Sequence, residues 1–145
     1  MPSLYEKDFY EWSMRTADLV RQGHFAEIDI DNLAEEIESM GRGVKRALKR
    51  RLEILLAHLL KWEYQDAFRT KGWRYTIFEQ RAAIHELLDE NPSLETLVNE
   101  ILEPAYKNAV KEAAEETELK PSNFPRDCRW SFEQVMDDDF WPEGV

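Results

Sequence analysis

The sequence has little of what crosslinks or interrupts a fold. Its 145 residues include one cysteine, five glycines and six prolines. The single cysteine, Cys128, excludes an internal disulfide framework. Scarce glycine and proline favour helices joined by short connections. A hydrophobic fraction of 43% and an aromatic fraction of 12% provide for a core and argue against disorder.

Long hydrophobic runs and targeting signals are also absent. The longest uncharged apolar stretch covers about residues 54–60, far short of the ~20 residues that a membrane-spanning helix needs. Residues 1–12 are polar and acidic, unlike a signal peptide. We therefore expect a cytoplasmic protein without a membrane partner.

Motifs that define common enzyme classes are missing. The sequence contains no glycine-rich phosphate loop, no G-x-S-x-G and no H-E-x-x-H. None of the three histidines, His24, His58 and His85, follows a glutamate by three positions, as a di-iron helical bundle would require. We expect neither a bound metal nor a cofactor, and we favour a protein that is not an enzyme.

The clearest positive signal is a long helix over about residues 30–64. Its apolar residues recur every three or four positions, the spacing of one helical face. They are Ile30, Leu33, Ile37, Met40, Val44, Leu48, Leu52, Leu55, Leu59 and Trp62. The pattern continues through Gly41 and Gly43, so we predict one helix, and a bend at these glycines stays open.

Three further helices and a C-terminal segment complete the predicted fold. The helices cover about 5–22, ended by Gly23, then 71–90, and 94–117, capped by Ser93 and kinked at Pro104. Phe25 and Ile28 are expected to anchor the first connection. Residues 119–145 are predicted to form an extended strap with a short helix after Ser131. The fold class is all-α: a single domain with an elongated four-helix bundle (1–118) and the strap packed on it.

Charge is distributed unevenly along this acidic chain, whose net charge is −11. Residues 42–81 hold 11 bases and 4 acids, between two acidic ends. One interpretation is neutralisation within the fold, and the other is a basic strip that binds an acidic partner. The strip consists of Arg42, Lys45, Arg46, Lys49 and Arg50. Because the whole protein repels nucleic acid, we favour pairing with acidic segments of this chain or of a second copy.

Two other groups of residues are candidates for chemistry or binding. Glu35, Glu36 and Glu38 could act as acid and base or hold Mg²⁺, but negative charge is also favoured early in a helix, and Glu38 can pair with Arg42. Lys61, Trp62, Tyr64 and Trp73, with their neighbours, surround the turn between the second and third helices. Such aromatic residues either close the end of a bundle or form a binding surface.

Several blocks of the sequence together resemble domain-of-unknown-function family 29, which is common in cyanobacteria. The blocks are residues 5–12 (YEKDFYEW), 32–42 (NLAEEIESMGR), 56–62 (LAHLLKW) and 124–128 (FPRDC), with Trp73, Gln80, Arg81, Asp139 and Phe140. The resemblance implies a stand-alone helical domain and brings no established reaction. The resemblance also indicates which positions a role common to the family would use. They are Glu35, Glu36, Glu38, His58, Lys61, Trp62, Trp73 and Arg81. Gly72 departs from the small polar cap expected before Trp73.

Three hypotheses about function follow. The first is a protein–protein interaction or structural domain whose partner is another protein or a second copy, as in a homodimer. The second is an antitoxin-like regulator in which the acidic bundle masks a basic partner. The third is an enzyme that uses Glu35, Glu38 and His58, with or without a metal.

Overall fold

The computed structural model describes residues 3–143, which contain helices and turns but no strand. The helices are α1 (Leu4–Lys7), α2 (Phe9–Gln22), α3 (Ile30–Tyr64), α4 (Lys71–Glu90), α5 (Val98–Thr117) and α6 (Phe132–Met136). The all-α helical bundle predicted from the sequence is confirmed. The chain divides into two compact units, Met1–Val44 and Lys45–Val145. The single-domain organisation stays a prediction.

The first unit corrects the prediction of one helix over 5–22. Asp8 leaves helical geometry, with φ −151° and ψ 89°, and its side chain accepts a hydrogen bond from the Glu11 N–H at 3.0 Å. This cap ends α1 and starts α2, so the segment forms two helices. Gly23 ends α2 in the left-handed region at φ 74°, as predicted.

The connection between α2 and α3 contains one of the two expected anchors. Ile28 is buried, whereas Phe25 is 62% exposed, so the prediction for Phe25 is wrong. Phe25 begins a 3-10 turn, Phe25–Glu27. The Asp29 side chain then accepts from the Asn32 N–H at 3.3 Å and caps α3.

The second unit has a leucine-rich core built on α3. Leu48, Leu52, Leu55 and Leu59 have no exposed surface. Burying a leucine side chain stabilises a fold by roughly 1.5–3 kcal/mol, so this part of α3 supplies much of the core. The inward residues of the next two helices are Ile77, Ile84 and Leu88 on α4, and Ile101, Ala105, Tyr106 and Ala109 on α5.

Of the helix starts in the second unit, that of α4 at Lys71 is as predicted, and that of α5 is not. Thr70 caps α4 by accepting from the Trp73 N–H at 3.1 Å, so Gly72 lies inside the first turn. Ser93 does not cap the following helix, because Pro92–Leu97 forms a 3-10 turn and α5 begins at Val98. Pro104 lies inside α5 as predicted.

The C-terminal segment has three buried aromatic side chains, Phe124, Trp130 and Phe132. Its predicted extended part contains a 3-10 turn at Pro121–Asn123. Ser131 and Gln134 form a capping box at the start of α6. Residues 144–145 of the predicted strap lie outside the described residues. Within residues 3–143, none of the helices has both the length and the apolarity that crossing a membrane requires.

Candidate functional site

The first unit has an apolar groove of about 420 Å³ along α2 and the first turns of α3. Its apolar lining consists chiefly of Phe9, Trp12, Val20, Leu33, Ile37 and Met40. Phe9 is half exposed, and Ile37 and Met40 are 55% and 66% exposed. The predicted apolar face of α3 is therefore open to solvent here, although it is buried from Leu48 onward. An unpartnered apolar surface of this kind is typical of an interaction site.

Aromatic packing and a hydrogen bond fix one wall of the groove. The Tyr5 ring packs edge-on against Trp12 at 4.7 Å and against Phe9 at 5.8 Å. The Tyr5 hydroxyl donates to the carboxylate of Glu36, and this hydrogen bond raises the pKa of Tyr5. Glu36 is thus held beside the groove, where it provides a negative charge.

The other carboxylates proposed for chemistry are exposed. Arg42 pairs with Glu35 at 2.7 Å rather than with Glu38 as predicted. Glu35 lies two helical turns before Arg42, which the long guanidinium side chain can span. Among residues 3–143, no group of three or more His, Cys, Asp and Glu side chains is arranged to hold a metal ion.

The second unit contains a cluster of three guanidinium groups and two indoles, which we call the guanidinium–indole cluster. Arg69 lies over the Trp62 ring at 4.8 Å and Arg81 over the Trp141 ring at 5.5 Å. Arg74 lies over both rings, at 5.3 and 5.1 Å, and the rings are 4.7 Å apart. Contacts of this type are worth about 0.5–1 kcal/mol when exposed and more when desolvated.

Two of these arginines are fixed by backbone carbonyls. Arg81, which is 1% exposed, donates to the carbonyls of Val135 and Phe140, each at 2.8 Å. Burial lowers the pKa of Arg81. Arg69 donates through Nε to the Trp62 carbonyl at 2.8 Å, while its buried Nη2 has no hydrogen-bond partner.

Lys61 and Trp73 meet at a second point. The buried ammonium of Lys61 pairs with Glu116 and lies 5.2 Å from the centre of the Trp73 ring. His58, one turn earlier on α3, is half-buried and contacts the Ile54 carbonyl through Nδ1 at 2.9 Å. Desolvation lowers the pKa of His58, so its neutral form, with Nδ1–H as the donor, is favoured.

An ion pair between the buried Glu63 and the exposed Arg129 was not anticipated. The Glu63 side chain is 4% exposed, and Arg129 donates to its two oxygens at 2.6 and 2.8 Å. No regular spacing relates positions 63 and 129, so only the tertiary fold shows the pair. The hydrogen bond to Glu63 raises the pKa of Arg129.

The basic strip is partly neutralised. Arg50 pairs with Glu53 at 3.2 Å and with the two oxygens of Glu112 on α5 at 3.1 and 3.3 Å. Lys45 and Arg46 are exposed, and Lys49 is half-buried. The pairing with acidic segments of the same chain, which we favoured, therefore occurs at Arg42, through Glu35, and at Arg50.

The residues marked by the family resemblance are distributed over both units. Glu35, Glu36 and Glu38 belong to the first unit, and His58, Lys61, Trp62, Trp73 and Arg81 to the second. Within the second unit, Trp62 and Arg81 both contact Trp141, and Lys61 contacts Trp73. Sequence reasoning included Arg74 only as a neighbour of Trp73 at the turn, and it did not include Arg69. Their only signal is their position next to the Trp62–Trp73 turn.

These features define an all-α protein with an acidic, groove-bearing first unit and a second unit that fixes cations on aromatic rings. Residues 4–141 match the family described as Domain of unknown function DUF29, and the chain belongs to that family. No curated protein and no solved structure matches it. The family assignment made from the sequence is confirmed, and it brings no specific function.

Proposed function

We propose that this protein is a self-associating interaction module in which the apolar groove of one copy binds the exposed α4 face of a second copy. The observation that carries the proposal is the exposure of Ile37 and Met40 on the apolar stripe of α3. The cytoplasmic location predicted from the sequence is part of the proposal.

The α4 face consists of Lys71, Tyr75 and Phe78. Their spacing of four and three residues places them on one side of α4. Tyr75 is 64% exposed and Phe78 is 61% exposed. Two aromatic anchors beside a lysine form a small amphipathic surface, which suits the helix-in-groove mode of recognition.

Charge complementarity supports a second copy as the occupant of the groove. Residues 1–44 contain 10 acids and 4 bases, whereas residues 45–81 contain 10 bases and 4 acids, of which Lys61, Arg81 and Glu63 are buried and so not available to a second copy. Two copies can therefore match the acidic unit of one with the basic stretch of the other. Such matching raises association rates and specificity, and salt screens it.

Each copy offers one groove and one α4 face, and we propose that the contact is made twice in the assembly. Two equivalent contacts related by a two-fold axis produce a closed dimer rather than a chain of molecules. The proposal therefore specifies a dimer as the assembled state, with the same two surfaces used in both directions.

Sedimentation velocity over a range of protein and salt concentrations tests the proposal. We expect a concentration-dependent dimer that weakens as salt rises, because the Debye length falls from about 10 Å at 0.1 M to about 3 Å at 1 M. Ile37→Glu should abolish the dimer by placing a charge in the groove. Met14→Glu is the matched control, since Met14 is 57% exposed on α2 and does not line the groove.

Two results would overturn the proposed groove-to-α4 dimer. One is a wild-type chain that stays monomeric at high concentration, which would point to a basic helix of another protein as the occupant. The other is equal dimerisation of the Ile37→Glu and Met14→Glu chains, which would place the contact elsewhere. The enzyme hypothesis with Glu35, Glu38 and His58 stays a prediction.

A further inference from the structure

We infer that the guanidinium–indole cluster binds an oxyanion of the phosphate class. The ligand's oxygens would be held by Arg74, which is exposed, and by Arg69, with the buried Arg81 behind them. This site shares no lining residue with the apolar groove, which belongs to the first unit, but it adjoins the α4 face because both include the start of α4 at Lys71.

The three arginines of the cluster are not neutralised by carboxylates in the described part of the chain. Within residues 3–143, Arg69, Arg74 and Arg81 form no ion pair with a carboxylate. Elsewhere in the chain, Arg50 and Arg129 each hold at least one carboxylate. The exposed Asp137 and Asp138 act on Arg81 only through longer-range attraction.

Arg69 offers a hydrogen-bond donor, Nη2, that has no acceptor among the described residues although its side chain is held in place. Arg69 is fixed on one side by its Nε bond to the Trp62 carbonyl and on its face by the Trp62 ring. Its Nη2 is buried and lacks an acceptor, which is unfavourable for a polar group and more so for a charged one. An oxyanion accepting from Nη2 would remove that cost, and reaching this buried atom requires a neighbouring group to move aside.

The beginning of α4 adds to the positive character of this region. Lys71 and Arg74 lie in the first turn, which has no acidic residue, although acids are normally favoured there. The Trp73 N–H is taken by the Thr70 side chain and the Arg74 N–H by the Thr70 carbonyl. The N–H groups of the first two helical residues point out of a helix end that attracts anions.

These groups fit a doubly charged tetrahedral anion better than a single carboxylate. A carboxylate carries one charge and offers two oxygens in one plane, whereas a phosphate offers at least three oxygens and nearly two charges at pH 7. Guanidinium groups bind phosphate through paired N–H donors, which Lys cannot reproduce. The ligand is therefore free phosphate or the phosphoryl group of an ester.

Titration with inorganic phosphate and with phenyl phosphate, at ionic strength held constant with chloride, tests this inference. Binding is read from indole fluorescence, since Trp62 and Trp141 lie in the site, and from the melting temperature. We expect a saturable change in both signals. Tighter binding of phenyl phosphate would identify an ester as the ligand, and equal binding would identify free phosphate.

The variants locate the site. Arg74→Gln should weaken binding about 10- to 100-fold, the effect of losing one charge-assisted hydrogen bond, and Arg74→Lys should weaken it less. Arg126→Gln, at an exposed arginine outside the cluster, is the matched control and should bind as the wild type does. Repeating the titration on Ile37→Glu separates phosphate binding from self-association.

Either of two outcomes would overturn the inference. The first is the absence of saturable change in fluorescence and melting temperature in the wild-type chain. The second is equal binding by the Arg74→Gln and Arg126→Gln chains, which would show that phosphate acts through general ionic effects.

Discussion

At the residue scale, the buried charged side chains of Lys61, Glu63 and Arg81 each have specific stabilising partners. The Lys61 ammonium pairs with Glu116, the Glu63 carboxylate with Arg129, and the Arg81 guanidinium donates to two carbonyls. Removing one partner of such a pair leaves a buried charge uncompensated, which typically costs 3–5 kcal/mol. These contacts specify how the C-terminal segment and α5 lie against α3 and α4 within the second unit.

His58 predicts a pH dependence of stability. Its pKa is lowered from 6.5 mainly by desolvation, so the unfolded chain takes up the proton first as the pH falls. The stability contributed by neutral His58 is present above pH 6.5 and is lost as the pH falls through the lowered pKa. The slope should stay below the about 1.4 kcal/mol per pH unit of one full proton, because the side chain keeps some contact with water.

Urea denaturation of the wild type and of His58→Gln between pH 5 and pH 8 checks this. The difference in free energy of unfolding should favour the wild type more at pH 8 than at pH 5. A difference that stays constant over this range would show that His58 titrates alike in the folded and unfolded chains.

At the element scale, α3 predicts a stabilising substitution at Gly41. Gly41 lies within the helix, and a Cβ built there would meet no atom within 4 Å. Gly41→Ala should raise the free energy of unfolding by about 0.5–1 kcal/mol, since alanine loses less conformational freedom in a helix. Gly23→Ala should do the opposite, because Gly23 has φ 74°.

Denaturation curves of the two alanine variants, followed by helical circular dichroism, make the comparison. If Gly41→Ala were destabilising, another group would have to pack closely against Gly41, a contact that the single chain does not show. If Gly23→Ala were neutral, the left-handed end of α2 would not limit its stability.

The helices themselves could be predicted because their signals are local. The bounds of α3 and α4 follow from apolar periodicity and from turn residues on either side. Local patterns gave the wrong structure where two backbone conformations suit the same residues. Asp8 caps a second helix instead of continuing the first, and a 3-10 turn after Asn91 replaces the helix start predicted at Ser93. Periodicity also does not reveal what covers a face, so Ile37 and Leu48 share one stripe but differ in burial.

At the scale of the whole molecule, the functional surfaces depend on contacts between distant positions. Trp62 and Trp141 are distant in the sequence and meet only in the tertiary structure, and nothing in the spacing of Arg74 assigns it to both rings. The sequence supplied Trp62, Trp73 and Arg81 through a family resemblance. The residues that contact these three side chains can be identified only from the tertiary structure.

The apolar groove has the same dependence on tertiary structure. Its residues come from α2 and α3, and each helix alone shows an ordinary amphipathic pattern. Only the exposure of Ile37 and Met40 distinguishes an open face from a core face. The uneven charge of the chain then favours a second copy as the occupant.

The most direct test of self-association mixes two monomeric variants. Ile37→Glu damages the groove and keeps the α4 face, whereas Phe78→Glu damages the α4 face and keeps the groove. Both positions are more than half exposed, so neither glutamate enters a core. Sedimentation velocity should show each variant alone as a monomer and the equimolar mixture as a dimer held by one intact contact. A mixture that stays monomeric would contradict the account.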